Sequence, residues 1–199
     1  MNETGSGGQA AVVIPLIATP RPAMLFVRRG AHLRRNAGQI GFPGGLIEAK
    51  DNDDRLRTAL RELQEELGIP ESGIAIVHRL PEAQLIRRGM RVTPFVGVME
   101  VLPPLRIDAD ELDGAVCIPL AAILAPGALH EGIETFAGLR IPTWQFDYET
   151  THIWGATARI LRMLLEAVAE NAGLRATLQR RGITFVPSPA VPMRRPSGP

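Results

Sequence analysis

Leucines recur at Leu56, Leu60, Leu63 and Leu67, and among them stand Glu62, Glu65 and Glu66. At about 3.6 residues per turn the leucines form one stripe of a helix, and the three carboxylates share a different side. Asp51, Asn52, Asp53 and Asp54 supply N-cap chemistry ahead of this helix, which runs to about Leu67, and Gly68 just beyond it is a stop signal. Arg61 falls beside Glu65 and is placed to hold it by a side-chain hydrogen bond. Such a helix needs an apolar surface to cover its stripe, while its acidic side stays open to something that tolerates negative charge.

The covering surface is legible as strands. AAVVIPLIA (10–18) and MLFVRR (24–29) are apolar and β-branched, and IAIVHRL (74–80), RVTPFVGVMEV (91–101), AVCIPL (115–120) and IPTWQFDYE (141–149) read the same way. GQIGFPGG (38–45) is too glycine-rich for a helix and marks a loop of close backbone approach. HIWGATARILRMLLEAVAENAG (152–173) is a second helix, with Ile160, Leu161, Leu164, Leu165 and Val168 on one stripe, and LRATLQRR adds a short one. Strands on both sides of a long helix predict an α/β fold, a mixed sheet with helices on its faces. The expected organisation is a flexible leader over residues 1–9, one domain over 10–173, and a partly disordered, proline-rich extension over 174–199.

Composition narrows the class. A formal net charge of +1 provides no global field toward nucleic acid or an anionic membrane. Cys117 is the single cysteine, which excludes an intrachain disulfide and a cysteine-rich metal site, and its apolar run reads as a buried structural thiol. No secretory signal is visible, and the longest apolar stretch is broken by proline and glycine, so a cytoplasmic protein is expected. The expected partner is a small molecule, with neither nucleic acid nor membrane, and a homodimer is allowed.

Three carboxylates at this spacing have two readings. One is a solvated acidic face. The other is a site for Mg²⁺ or Mn²⁺, hard cations that take oxygen ligands and relieve the like-charge repulsion. Spacing alone does not choose between them. The residues before the helix do, because FPGGLIEAKDNDDRLRTALRELQEELGI resembles a Nudix box: G, five residues, E, seven residues, R-E, an aliphatic, any residue, E-E, any residue, G, an aliphatic. Its second half matches at Arg61, Glu62, Leu63, Glu65, Glu66, Gly68 and Ile69. Its first half departs: Gly45 and Arg61 lie two residues further apart than the pattern has them, and an acidic run replaces the upstream glutamate. Counted back from Arg61, Asp53 is the nearest substitute.

The resemblance extends to about residues 10–170. Arg34, Gly38, Phe42, Pro43, Gly44 and Gly45 are similar to the signature that precedes the box in the coenzyme A diphosphatase branch of the Nudix hydrolases. RVTPFVGVM, DADELDG and FDYETTHIWGATARILRMLLE resemble the matching stretches of that branch. The resemblance implies a Nudix-type α/β/α sandwich and a metal-dependent diphosphatase. It would cut coenzyme A or its thioesters into 3′,5′-ADP and a 4′-phosphopantetheine product, with Mg²⁺ or Mn²⁺ as cofactor. Glu62 and Glu66 are the implied metal ligands, Glu65 is a third ligand or a base, and the Gly45 carbonyl is a backbone ligand. Asp108, Asp110 and Glu111 are loop candidates for the general base, Glu111 preferred, and Arg61 completes the catalytic set. Arg34, Gly38, Phe42 and Arg29 are the implied substrate contacts, since guanidinium forks suit phosphate groups.

The four histidines have no metal-ligand spacing, and Trp144 and Trp154 read as packing residues. Two other functions compete: a Nudix diphosphatase acting on NADH, ADP-ribose or dinucleoside polyphosphates, and a Nudix-fold ligand sensor without hydrolytic activity.

Overall fold

The computed structural model describes residues 8–85, 89–136 and 138–185. Its centre is strand β1 (Gln9–Ile17), which runs parallel to β7 (Met90–Met99) along its whole length. On its other edge β1 is shared by two strands. β4 (Gly44–Leu46) pairs with its first half at Ala10, Ala11 and Val12, and β2 (Ala23–Arg29) pairs with its end at Leu16 and Ile17. β3 (Ile40–Gly41) and β8 (Leu112–Pro119) add to β2, and β5 (Ala75–Arg79) and β6 (Ala83–Leu85) add to β7, completing a mixed eight-stranded sheet. A second, antiparallel sheet has the order β11 (Thr151–Trp154), β10 (Leu139–Tyr148), β9 (Leu129–Phe136).

Alternation along the central strands builds two cores. Ala11, Val13 and Ile17 of β1, with Leu25 and Val27 of β2, meet Ala59, Leu60, Leu63 and Leu67 of α1 (Arg55–Leu67) on one face. Ala10, Ile14, Leu16, Met24 and Phe26 face the other way, toward α3 (Gly155–Glu170) and α4 (Ala172–Arg180). The α/β arrangement with helices on both faces is the one expected. A short helix, α2 (Leu120–Ile123), follows β8.

Several boundaries differ from expectation. His152 to Trp154 do not open α3 but, with Thr151, pair with β10, because β-branched and aromatic residues favour the pleated edge and Gly155, at φ +64°, turns the chain into the helix. One continuous helix to Gly173 is interrupted at Asn171, whose side chain accepts from Leu174 N and starts α4. Burial continues past the boundary at 173: Leu174, Leu178, Ile183 and Phe185 all join the α3 core. The glycine-rich loop holds two short strands, β3 and β4, and β6 and β9 lie in segments with no strand expectation. Gln9, assigned to the leader, opens β1; the rest of the leader before Gly8 and the tail after Phe185 lie outside the described residues. Cys117 is exposed, since its side chain falls on the outer side of β8 between half-buried Val116 and buried Ile118. Trp144 is half-buried against the α3 core, with the Arg162 guanidinium 4.4 Å from its ring centroid. Among the described residues no helix is long and apolar enough to cross a membrane.

Candidate metal and diphosphate site

The α1 helix begins as its sequence dictates: the Asp54 side chain accepts from Leu56 N and Arg57 N, and Gly68 closes the other end in the left-handed conformation. The leucine stripe docks on the sheet and thereby aims the acidic side at β4. A Cβ at Gly45 would collide with Glu62 Oε1, so any larger residue there would push that carboxylate aside. Glu66 is 3% exposed. Its Oε2 accepts one hydrogen bond, 3.0 Å from Gly44 N.

The electrostatics of these two acids are unusual. Burial raises the Glu66 carboxyl to about 8, with Glu62 and Glu111 adding to the rise and the Gly44 N–H and Arg29 opposing it. Burial also raises Glu62, against the nearby Arg61, and Glu65 and Glu111 push in the same direction as burial. The fold therefore gathers Glu62, Glu66 and Glu111, and of the first two only Glu62 has a cation bonded to it, Arg61. Glu111 is brought in by its loop, in which Asp108 N donates to Glu66 O at 3.0 Å and Gly30 N donates to Glu111 O at 2.8 Å. Arg29 lies on the same side, and its Nε is buried without a hydrogen-bond partner.

Arg61 organises the site. It donates Nε and Nη2 to the two Asp51 carboxylate oxygens at 2.9 and 3.0 Å. Its Nη1 reaches Glu65 Oε2 at 2.6 Å and Glu62 Oε1 at 2.9 Å. Asp51 is buried and also accepts from Thr58 Oγ1 and Glu48 N, each at 2.9 Å. The Arg61 guanidinium beside it holds its carboxyl well below the usual carboxylate range despite burial. The acid that replaces the box glutamate is thus Asp51, not Asp53, which is exposed at φ +57°. The extra residues lie after Asp51, so counting forward from Gly45 finds it and counting back from Arg61 does not.

The other expected residues divide. Glu65 is exposed, and both its oxygens are taken: Arg61, which also holds Glu62, holds one, and Lys50 Nζ, at 3.2 Å, holds the other. Among the described residues no three His, Cys, Asp or Glu side chains already converge as metal ligands. The donors present nevertheless fit a hard divalent cation, because all are oxygens and the buried Glu66 charge has no bonded cation. Phe42 is not at a substrate surface; it is buried and stacks on Phe26, ring centroids 4.9 Å apart, and so anchors the FPGG turn in the core. Gly38 and Arg34 sit on an exposed loop, Gly38 at φ +67°. Asp110 accepts through its carbonyl from the His32 ring region at 2.9 Å, and Asp108 through its carboxylate from Asp110 N, so Glu111 alone of the loop acids bears on the pair.

The model of the NUDIX domain matches residues 8–135. The chain belongs to the Nudix family. The Nudix hydrolase NudL of Salmonella paratyphi B is 38% identical over 163 residues, covering 82% of this chain and 84% of that protein. Among solved Nudix structures, the NUDIX domain of Shewanella oneidensis NrtR complexed with ADP ribose has a TM-score of 0.54 at 15% identity, covering 80% of this chain and 87% of that one. A C. elegans Ap4A hydrolase binary complex has a TM-score of 0.53 at 12% identity, covering 82% of this chain and 99% of that one. These two likenesses concern the Nudix fold alone.

Proposed function

We propose that this Nudix hydrolase cleaves the diphosphate of coenzyme A or its acyl thioesters, giving 3′,5′-ADP and 4′-phosphopantetheine or its acyl form. The observation that carries the reading is the buried Glu66 carboxyl, with no cation bonded to it, beside half-buried Glu62 and the FPGG turn, with Arg29 on the same side. Glu62, Glu66 and the Gly45 backbone would hold Mg²⁺ or Mn²⁺. A divalent cation there supplies neutralisation of the diphosphate oxygens and acidification of water. The unpartnered Nε–H of Arg29 donates to a phosphate oxygen, and Arg34, on the exposed loop, meets the outer phosphate of the substrate. Glu111 accepts the proton of the attacking water; the new P–O bond forms as the anhydride P–O bond breaks, and the other phosphate leaves. Phe42 and Gly38 shape the substrate loop without touching the substrate themselves.

The substrate assignment rests on the residues from Arg34 to Gly45, and it competes with ADP-ribose, NADH and dinucleoside polyphosphates. Product analysis on a panel of coenzyme A, acetyl-coenzyme A, ADP-ribose, NADH and Ap4A, with Mn²⁺ and with EDTA, tests it. Release of 3′,5′-ADP from coenzyme A, stopped by EDTA, is the expected result. Fast cleavage of ADP-ribose beside inert coenzyme A would overturn the substrate, and no turnover of any compound would favour a ligand sensor.

A further inference from the structure

Lys50 is the sole lysine among 22 lysine and arginine residues, and it stands at the rim of the acidic site. Its placement is built in. The neighbouring Asp51 is buried and fastened to Glu48 N, Thr58 Oγ1 and Arg61, which fixes the short turn Ala49–Asp51 on which Lys50 rides. The ammonium lies 3.2 Å from Glu65 Oε1 and 3.3 Å from Glu48 Oε2. With Arg61 on Glu65 Oε2, both oxygens of Glu65 are held by cations. Glu66, one residue on, has only the Gly44 N–H.

From this asymmetry we infer that Lys50 is a positioning residue that competes with the divalent cation for Glu65. It keeps that carboxylate outside the Glu62–Glu66 pair until the cation draws it in. A lysine suits the task better than an arginine, because its flexible stem and point charge release a carboxylate that a planar fork would grip. The inference rests on Glu62 and Glu66 holding a divalent cation.

Calorimetric titration of the full chain with Mn²⁺ alone tests both, without recourse to turnover. Lys50→Gln is expected to bind Mn²⁺ about threefold to fivefold more tightly than wild type, the size set by one exposed ion pair that no longer competes. Lys50→Arg is expected to match wild type or bind more weakly. The gain must vanish when Lys50→Gln is combined with Glu65→Gln, because only then does the effect run through Glu65. An unchanged affinity in Lys50→Gln overturns the inference. So does a gain that persists in the double variant, which would mark a general field effect. Wild-type protein that takes up no Mn²⁺ overturns the metal reading itself and the inference with it.

Discussion

Two clusters in this molecule gather carboxylates around a basic side chain, and they are built on opposite principles. On the second sheet, His152 is 41% exposed, with its ring nitrogens 2.6 Å from Asp147 Oδ1 and 2.8 Å from Glu134 Oε1. Water shares the load there, and each acid has its partner. On α1, Arg61 serves Asp51, Glu62 and Glu65 at once, while the buried Glu66 has no cation bonded to it. The first cluster can be complete as it stands. The second holds a buried carboxyl whose ionised form costs several kcal/mol unless a cation neutralises it, a group that stability alone does not call for. Where acids lie near a base, the deficit of pairing under burial, and not the number of acids, separates a working site from a surface network.

The contrast breaks most directly at Glu66. Glu66→Gln keeps shape and hydrogen-bonding capacity but removes the buried charge. Hydrolysis is expected to fall by at least about a hundredfold, since even the outer partners of metal ligands are worth roughly 10–100-fold. In EDTA the same variant should melt at or above the wild-type temperature, because function and not stability keeps the charge there. A variant that melts lower in EDTA and retains activity would make Glu66 an ordinary structural acid. Added Mn²⁺ should raise the melting temperature of wild type, as any ligand of the native state does, and should leave Glu66→Gln nearly unmoved.

Asp51 is the counter-case inside the same site: a buried acid that is fully paired. Asp51→Ala strands the Arg61 guanidinium at its most buried contacts and is expected to destabilise the fold by about 3 kcal/mol. Urea unfolding measures this, and a loss under about 1 kcal/mol would show that Glu62 and Glu65 hold Arg61 unaided. The sign of its pH dependence follows from Arg61 holding Asp51 below the usual carboxylate range. Its contribution is complete above the unfolded value of roughly 4 and fades only as pH falls through the lower folded value. The Asp51→Ala penalty should therefore shrink in strong acid and stay level across neutral pH.

What the sequence disclosed follows the same line. The leucine stripe, an N-cap within residues 51–54, the Gly68 stop and the shared side of Glu62, Glu65 and Glu66 were legible because each is local, set by helical period and end chemistry. Asp51 was not, because four acidic or amide residues in a row leave the register of an insertion open until burial picks one. His152 to Trp154 read as the start of a helix since a strand is fixed by its partner, and the partner β10 lies across a turn. Glu65 stands at a defined position of the box, yet Lys50, which pairs with it, stands at a position the box leaves free. Phe42 belonged to a substrate signature and proved to be core, because a motif records which residues go together and not which of them meets the ligand.

Gly68 sharpens how the two halves of the site are coupled. Besides its φ of +71°, a Cβ there would lie 2.9 Å from Arg106 Cβ, on the segment whose Arg106 N and Asp108 N donate to Leu67 O and Glu66 O. Gly68→Ala is expected to cost about 1–2 kcal/mol for the left-handed backbone. It should also lower kcat more than it weakens Mn²⁺ binding, because it displaces the loop of Glu111 and leaves Glu62 in place. Equal losses in both would confine Gly68 to ending the helix.

The smallest effect belongs to the exposed cluster, and its smallness is the test. Burial works against the His152 cation, but the bonds to Asp147 and Glu134 outweigh it and raise the ring above its ordinary value. A raised histidine stabilises the fold fully below the unfolded value of roughly 6.5 and loses that contribution as pH climbs through the folded value. His152→Gln should therefore lower stability at pH 6 by less than about 1 kcal/mol, since solvent screens an exposed pair, and the difference should close as pH climbs past the raised folded value into the alkaline range. Hydrolysis at saturating metal should be unchanged at either pH. A His152→Gln variant with impaired Mn²⁺ binding would tie the second sheet to the site and dissolve the division between a paired surface network and a cation-deficient pocket.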